Sequence, residues 1–303
     1  MAISVKNITK IYGEQKALDN VNFEVKTGEV IGFLGPNGAG KSTMMKILTC
    51  YLPASAGTAS VNGYDVAGSP QDVKRSVGYL PESNPLYFDM YVREYLEYAA
   101  GVYGASNVRK RADEMIGITG LSPERHKKIG ALSKGYKQRV GLAQAMIHNP
   151  SVLILDEPTS GLDPNQLVDI RNLITELGKE KTVMLSTHIM QEAEAMCSRI
   201  LIINKGNLVA DKSTAEITRT TGNRQVVLVE FDKPVTEGEL KKIKGVQQVL
   251  HSGNNRYEIS ASDKEDIRSQ LFAWAVEKGL TILTIAKSDV KLEDVFRNLT
   301  GKK

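Results

Sequence analysis

The sequence predicts an α/β protein: a large domain on a central, mostly parallel sheet, followed by a small α+β domain. Three observations carry this. Continuous apolar runs at residues 30–34, 151–155 and 182–186 have the length and composition of strands buried on both faces. A glycine-rich turn at 35–43 separates the first of these runs from a helical pattern beginning at Met44. After about residue 220 the composition changes and shorter strands take over, which sets the domains at 1–220 and 221–303.

With 303 residues, 41% of them hydrophobic, the chain can bury a core in each domain. Its 39 basic and 35 acidic residues leave a mild +4 without a dense basic block, so no nucleic acid is expected as a partner. Cys50 and Cys197 lie far apart without metal-ligand spacing, which suits a reducing compartment better than a disulfide framework. The first ten residues lack a signal-peptide core, and no apolar run approaches bilayer length. The expectation is a soluble chain whose membrane role, if any, comes from a partner.

Residues 3–7 and 21–25 alternate in polarity around a polar turn and read as two antiparallel strands. Tyr12, between them, is placed to stack on a purine ring; alone it would be plain packing. Gly35, Pro36, Asn37, Gly38, Ala39, Gly40, Lys41, Ser42 and Thr43 then form a P-loop between strand and helix. The glycines turn consecutive amides inward toward phosphate oxygens, and the helix end adds a positive dipole. Lys41 reaches the β- and γ-phosphates, and the Ser42 hydroxyl ligates Mg²⁺.

A short hairpin follows at 58–63, turning on Asn62 and Gly63, then a strand at 76–80 and a loop broken by Pro81 and Pro85. Residues 91–103 are helical and aromatic-rich, serving either the core or a partner-binding face, and 108–116 continue as a charged helix. Ser133 and Gly135 open a helix through residue 145, as a plain N-cap or as a second phosphate contact.

The apolar run at 151–155 ends in Asp156 and Glu157, and two adjacent carboxylates cannot be there for core packing. Beside a P-loop the first reads as the Mg²⁺-associated acid and the second as the group that polarises the attacking water. A tight turn at 160–164 precedes a helix at 166–179. The next buried strand delivers His188 to the end of the sheet where ligands bind, placed to contact a γ-phosphate or hold the water. A hairpin around Lys205 and Gly206 and a linker at 218–225 close the large domain. The small domain reads as a strand at 226–231, a helix at 237–244, two strands within 246–259, a helix at 263–278 carrying Trp274, a strand at 281–286 and a last helix near Leu292. It holds no catalytic constellation.

In order, Tyr12, the P-loop, the loop at Glu82, Leu132-Ser133-Lys134-Gly135, Asp156-Glu157, Ser160-Gly161-Leu162-Asp163 and His188 resemble the motifs of the ATP-binding subunit of an ABC transporter, over about the first 220 residues. The tail from Leu292 to Thr300 is similar to that of exporter-type ATPases of the drug- and antibiotic-efflux kind. More narrowly, residues 91–96 and the P-loop region look like the gliding-motility-associated ABC ATPase subunit of Bacteroidetes-type bacteria. The resemblance implies an ABC ATPase fold with antiparallel and helical subdomains, ATP and Mg²⁺ as cofactors, and a head-to-tail homodimer with ATP between the P-loop of one subunit and the signature of the other. It also implies a separate membrane permease as partner and a place on the inner face of the cell membrane. By carry-over Asp156 holds Mg²⁺, Glu157 is the general base, His188 positions the γ-phosphate, Ser133 and Gly135 meet the opposite nucleotide, and Asp163 belongs to the nucleotide site.

Two positions depart from the family pattern. Glu82 stands where glutamine is usual, keeping an oxygen for Mg²⁺ or water but adding charge. Lys134 and Tyr136 stand where Gly and Gln are commonest. A soluble ABC ATPase acting on ribosomes or DNA is the competing class, yet one P-loop and no sustained heptads argue against it. A regulatory module without turnover is opposed by intact Glu157 and His188.

Overall fold

The computed structural model describes residues 1–216, 224–262 and 266–288. The linker read at 218–225 falls mostly outside these residues, as do the helix near Leu292 and the tail to Thr300. The chain divides into two compact units, Met1–Ser213 and Thr214–Lys303.

The first unit opens with β1 (Ile3–Tyr12) and β2 (Gln15–Val25), an antiparallel pair whose inward residues alternate with exposed ones. β3 (Val30–Leu34) leads through the glycine turn into α1 (Lys41–Leu48), which buries Met44, Met45, Ile47 and Leu48. β4 (Ala56–Val61) and β5 (Tyr64–Asp65) form the expected hairpin, with Asn62 and Gly63 both at positive φ. They extend the antiparallel sheet to the order β2-β1-β4-β5. A short helix not foreseen in the sequence, α2 (Pro70–Ser76), follows, so β6 (Val77–Leu80) begins one residue later than expected. Pro70 at its first turn and Asp72 near its N-terminus favour the helix in a polar stretch where hydrophobic periodicity says little.

Three helices pack on one another next: α3 (Val92–Val102), α4 (Val108–Ile118) and α5 (Lys134–Met146). The aromatic stretch read at 91–103 is only partly core. Tyr95 and Leu96 are core, whereas Tyr91 and Tyr98 are about half exposed. β7 (Val152–Asp156) is buried along its whole length, as a strand covered on both faces must be. Then come α6 (Pro164–Gly178), β8 (Thr182–Thr187), a second unforeseen short helix α7 (Met190–Met196), and the hairpin β9 (Arg199–Asn204) and β10 (Asn207–Ser213). The central sheet runs β10-β9-β3-β8-β7-β6, parallel throughout except for β10. This register puts the C-terminal ends of β3, β7 and β8 side by side, where an open α/β sheet binds ligands.

The second unit is an antiparallel sheet in the order β12-β13-β11-β14, formed by β11 (Arg224–Phe231), β12 (Val246–His251), β13 (Arg256–Ser262) and β14 (Ile282–Ser288). α8 (Glu237–Leu240) is shorter than the helix read at 237–244. Thr236 and Glu239 close a capping box, but Gly245 at positive φ turns the chain into β12. α9 (Ile267–Glu277) starts on an Asp266 cap. Phe231, Tyr257, Ile259 and Leu271 form the core. Among the described residues no helix is long and apolar enough to cross a membrane.

Candidate functional site

The turn after β3 is shaped by two glycines that tolerate no side chain. A Cβ on Gly35 would collide with the Ile203 carbonyl. One on Gly40, at φ 111°, would lie 2.5 Å from the Ala17 carbonyl. Gly40 is also the N-cap of α1 and offers no side-chain acceptor, so the helix end stays open to an incoming anion. A cleft of about 360 Å³ lies there, lined by Ala17, Asn37, Gly38, Gly40, Lys41, Ser42, Thr43, Glu82 and Glu157. Seven of these nine are the predicted loop residues or the carboxylate after β7; of the rest, Glu82 was expected and Ala17 was not.

Lys41 is almost fully buried. Its Nζ donates to the Gly35 carbonyl at 2.8 Å and lies 3.5 Å from Glu157 Oε1. The ammonium therefore sits in a cage of backbone carbonyls and one carboxylate, an arrangement that offsets its desolvation and holds it at the wall of this cleft. Glu157 sits at the end of β7 with φ 50°, a left-handed conformation unusual for a glutamate. Its backbone amide donates to Ser186 Oγ at 3.0 Å, and His188 Nδ1 lies 2.9 Å from its Oε2. One carboxylate thus meets Lys41 through one oxygen and His188 through the other.

Asp156, also buried, accepts a hydrogen bond from the Ser186 hydroxyl, which ties the ends of β7 and β8. Its charge adds to burial in pushing the nearby Tyr79 phenol well above the ordinary tyrosine range. Ser186 was missed from the sequence. Its only signal is a hydroxyl residue near the C-terminal end of an apolar strand.

The other predicted residues lie outside the lining of this cleft. Tyr12 ends β1, 46% exposed, with Lys10 Nζ 5.3 Å from its ring centroid. Ser133 caps α5 by accepting from the Tyr136 amide at 3.4 Å, and Gly135 is covered by the Gln166 side chain. Asp163 caps α6, accepting from the Asn165 and Gln166 amides at 3.1 and 2.9 Å. Lys134 lies over Gly161, so the start of α5 and the turn before α6 pack together.

The donor set suits Mg²⁺ only together with a phosphate. Ser42, Asp156 and Glu82, the residues expected to hold it, carry hard oxygens, of which Ser42 and Glu82 line the cleft and Asp156 does not; Mg²⁺ is ordinarily held by one or two carboxylates plus phosphate oxygens and water. Among the described residues there is no cluster of three acidic, His or Cys side chains able to hold a metal alone.

The profile of the ABC transporter family matches residues 18–160. The chain is 31% identical to the linearmycin resistance ATP-binding protein LnrL of Bacillus subtilis (strain 168), covering 99% of this chain and 98% of that one. It is 33% identical to the bacitracin transport ATP-binding protein BcrA of Bacillus licheniformis, over 99% and 97%. Among solved structures, the dimeric post-hydrolysis state of the ATP-binding cassette MJ0796 bound to ADP and Pi matches with a TM-score of 0.65 at 28% identity, covering 70% of this chain and 98% of that one.

Proposed function

The chain belongs to the ABC transporter family as an ATP-binding, ATP-hydrolysing subunit, and from that premise we propose that it powers export through a separate membrane permease. The observation that carries the reading is the linkage of Lys41, Glu157 and His188 at the open end of α1. It joins the residue that grips phosphate to the one that activates water.

In this reading residues 1–220 are the ATP-binding domain and 221–303 an accessory α+β domain. Tyr12 stacks on adenine, residues 35–43 wrap the phosphates, and Lys41 neutralises the β- and γ-oxygens. Ser42 and Asp156, with Glu82, hold Mg²⁺, which when bound offsets phosphate charge. Glu157 takes the proton of a water whose oxygen bonds to the γ-phosphorus as the bond to ADP breaks. His188 fixes the Glu157 carboxylate and contacts the γ-phosphate. Ser133 and Gly135, with Asp163 nearby, face the nucleotide of a second copy in a head-to-tail dimer. Loss of the bridging phosphate then lets the dimer open.

The permease lies in the cell membrane, and this subunit sits on its cytoplasmic face. Exposed rings of Tyr87, Tyr91 and Tyr98 supply an aromatic docking surface for it. Export rests on relatives named for linearmycin resistance and bacitracin transport. The gliding-motility system is the narrower proposal, resting on residues 91–96 and the P-loop sequence.

The test is affinity capture from detergent-solubilised cells with the Glu157→Gln form and ATP. A multi-helix membrane protein is the expected prey. Ribosomes or DNA-bound proteins in its place would overturn the permease reading.

A further inference from the structure

Glu192 is a buried carboxylate that the proposed mechanism leaves unused. It lies in the first turn of α7 at 1% exposure. Its Oε2 accepts from the Thr159 hydroxyl at 2.5 Å and from the Thr187 hydroxyl at 2.8 Å, while Oε1 has no partner. The Thr187 oxygen in turn accepts from the Ile189 amide at 3.0 Å.

Thr159 follows Glu157 by two residues, and Thr187 immediately precedes His188. The two loops whose side chains meet at 2.9 Å, Glu157 Oε2 to His188 Nδ1, are thus anchored behind the site on a single oxygen. A second tie, Ser186 to Asp156 and to the Glu157 amide, holds the backbone where β7 ends, whereas Glu192 joins Thr159, further along the loop after β7, to Thr187, the last residue of β8. A carboxylate with one oxygen bare costs stability, so its position calls for a reason other than packing.

We propose that Glu192 is a positioning residue for hydrolysis: it sets the spacing of Glu157 and His188 by clamping Thr159 and Thr187 together. The inference rests on the assignment of Glu157 as base. The carboxylate lies outside the lining of the cleft at the open end of α1, so its removal leaves ATP affinity alone and loosens the pair that acts on the water.

The test is steady-state hydrolysis and thermal unfolding of the full chain. Glu192→Ala is expected to lower kcat about 10–100-fold, the scale of a displaced catalytic group, with KM for ATP within about twofold. Glu192→Gln keeps an acceptor for both hydroxyls and should retain kcat within about threefold. Thr187→Val, which removes one hydroxyl with little change of shape, should lower kcat without raising KM. Adding it to Glu192→Ala should lower kcat no further, because both changes cut the same tie. A fall in melting temperature with unchanged kcat marks a merely structural brace and overturns the proposal. If Glu192→Ala does not fold, the Thr187→Val and Thr159→Val forms decide, and normal kcat in both overturns it. Glu157→Gln is run alongside: inactive there with a fully active Glu192→Ala refutes this inference alone, whereas an active Glu157→Gln refutes the base assignment beneath it.

Discussion

The two units bury different chemistry. Met1–Ser213 encloses Lys41, Asp156, Glu157 and Glu192, whereas the described part of Thr214–Lys303 encloses no charged side chain at all. In the second unit the interior is Val227, Val229, Phe231, Ile259 and Leu271. The hydroxyl of Tyr257 there is satisfied by the backbone of Val235, accepting from its amide at 2.9 Å and donating to its carbonyl at 2.6 Å. Buried charge is costly unless paired, so a fold keeps it where something is to be done with it. The first unit can keep it because parallel strands end together, and β3, β7 and β8 bring the partners within reach. The antiparallel sheet of the second offers packing and no such edge.

The sharpest way to break this contrast is Glu157→Gln. Turnover should fall about 10²–10⁴-fold, the usual contribution of a general base, measured as phosphate release at saturating ATP. Near-normal turnover would remove the base from the first unit. Phe231→Ala should instead cost about 3–5 kcal/mol of stability in the second unit, as large-to-small core changes do, read from chemical denaturation. Turnover per folded molecule should not change, and a parallel loss of activity would show that the apolar unit also serves the site.

Asp163→Ala is a smaller perturbation inside the first unit. Loss of the α6 cap should cost about 0.5–2 kcal/mol, seen in the melting temperature, with ATP affinity of the isolated subunit unchanged. A fall in that affinity would give Asp163 a direct hold on nucleotide. Smallest is the effect of His148, whose imidazole stacks on Tyr103 at 4.0 Å. Burial pushes its pKa below the ordinary 6.5, against a raising backbone contact at Val77 and with lowering by Arg111 and Lys181. The fold therefore prefers the neutral ring. The stability it contributes is present above pH 6.5 and is lost as pH falls through the lower folded-state value. The melting temperature should drop over that acid range, and His148→Gln should flatten the drop.

Much of the fold was legible because the signals are local. Five-residue apolar runs became β3, β7 and β8. Asn62-Gly63 made its hairpin, and a glycine turn between strand and helix stood out from any packing motif. The short helices α2 and α7 were missed, since seven residues give too few turns to show a period. The glutamate row of 192 and 194 looks like solvent-facing surface in sequence, and nothing local marks Glu192 as buried.

By itself the sequence determined the central strands β3, β7 and β8, the glycine-rich turn between β3 and α1, and the pair of carboxylates ending a buried strand. Each depends on neighbours within a few residues. Tertiary structure alone decided that Lys41, Glu157 and His188 meet, that Ser186 ties β7 to β8, and that Gln166 covers Gly135. Those contacts join residues some 30 to 116 positions apart: the parallel register of the sheet brings the residues at the ends of β3, β7 and β8 within reach, and the approach of α5 and α6 brings Gln166 over Gly135.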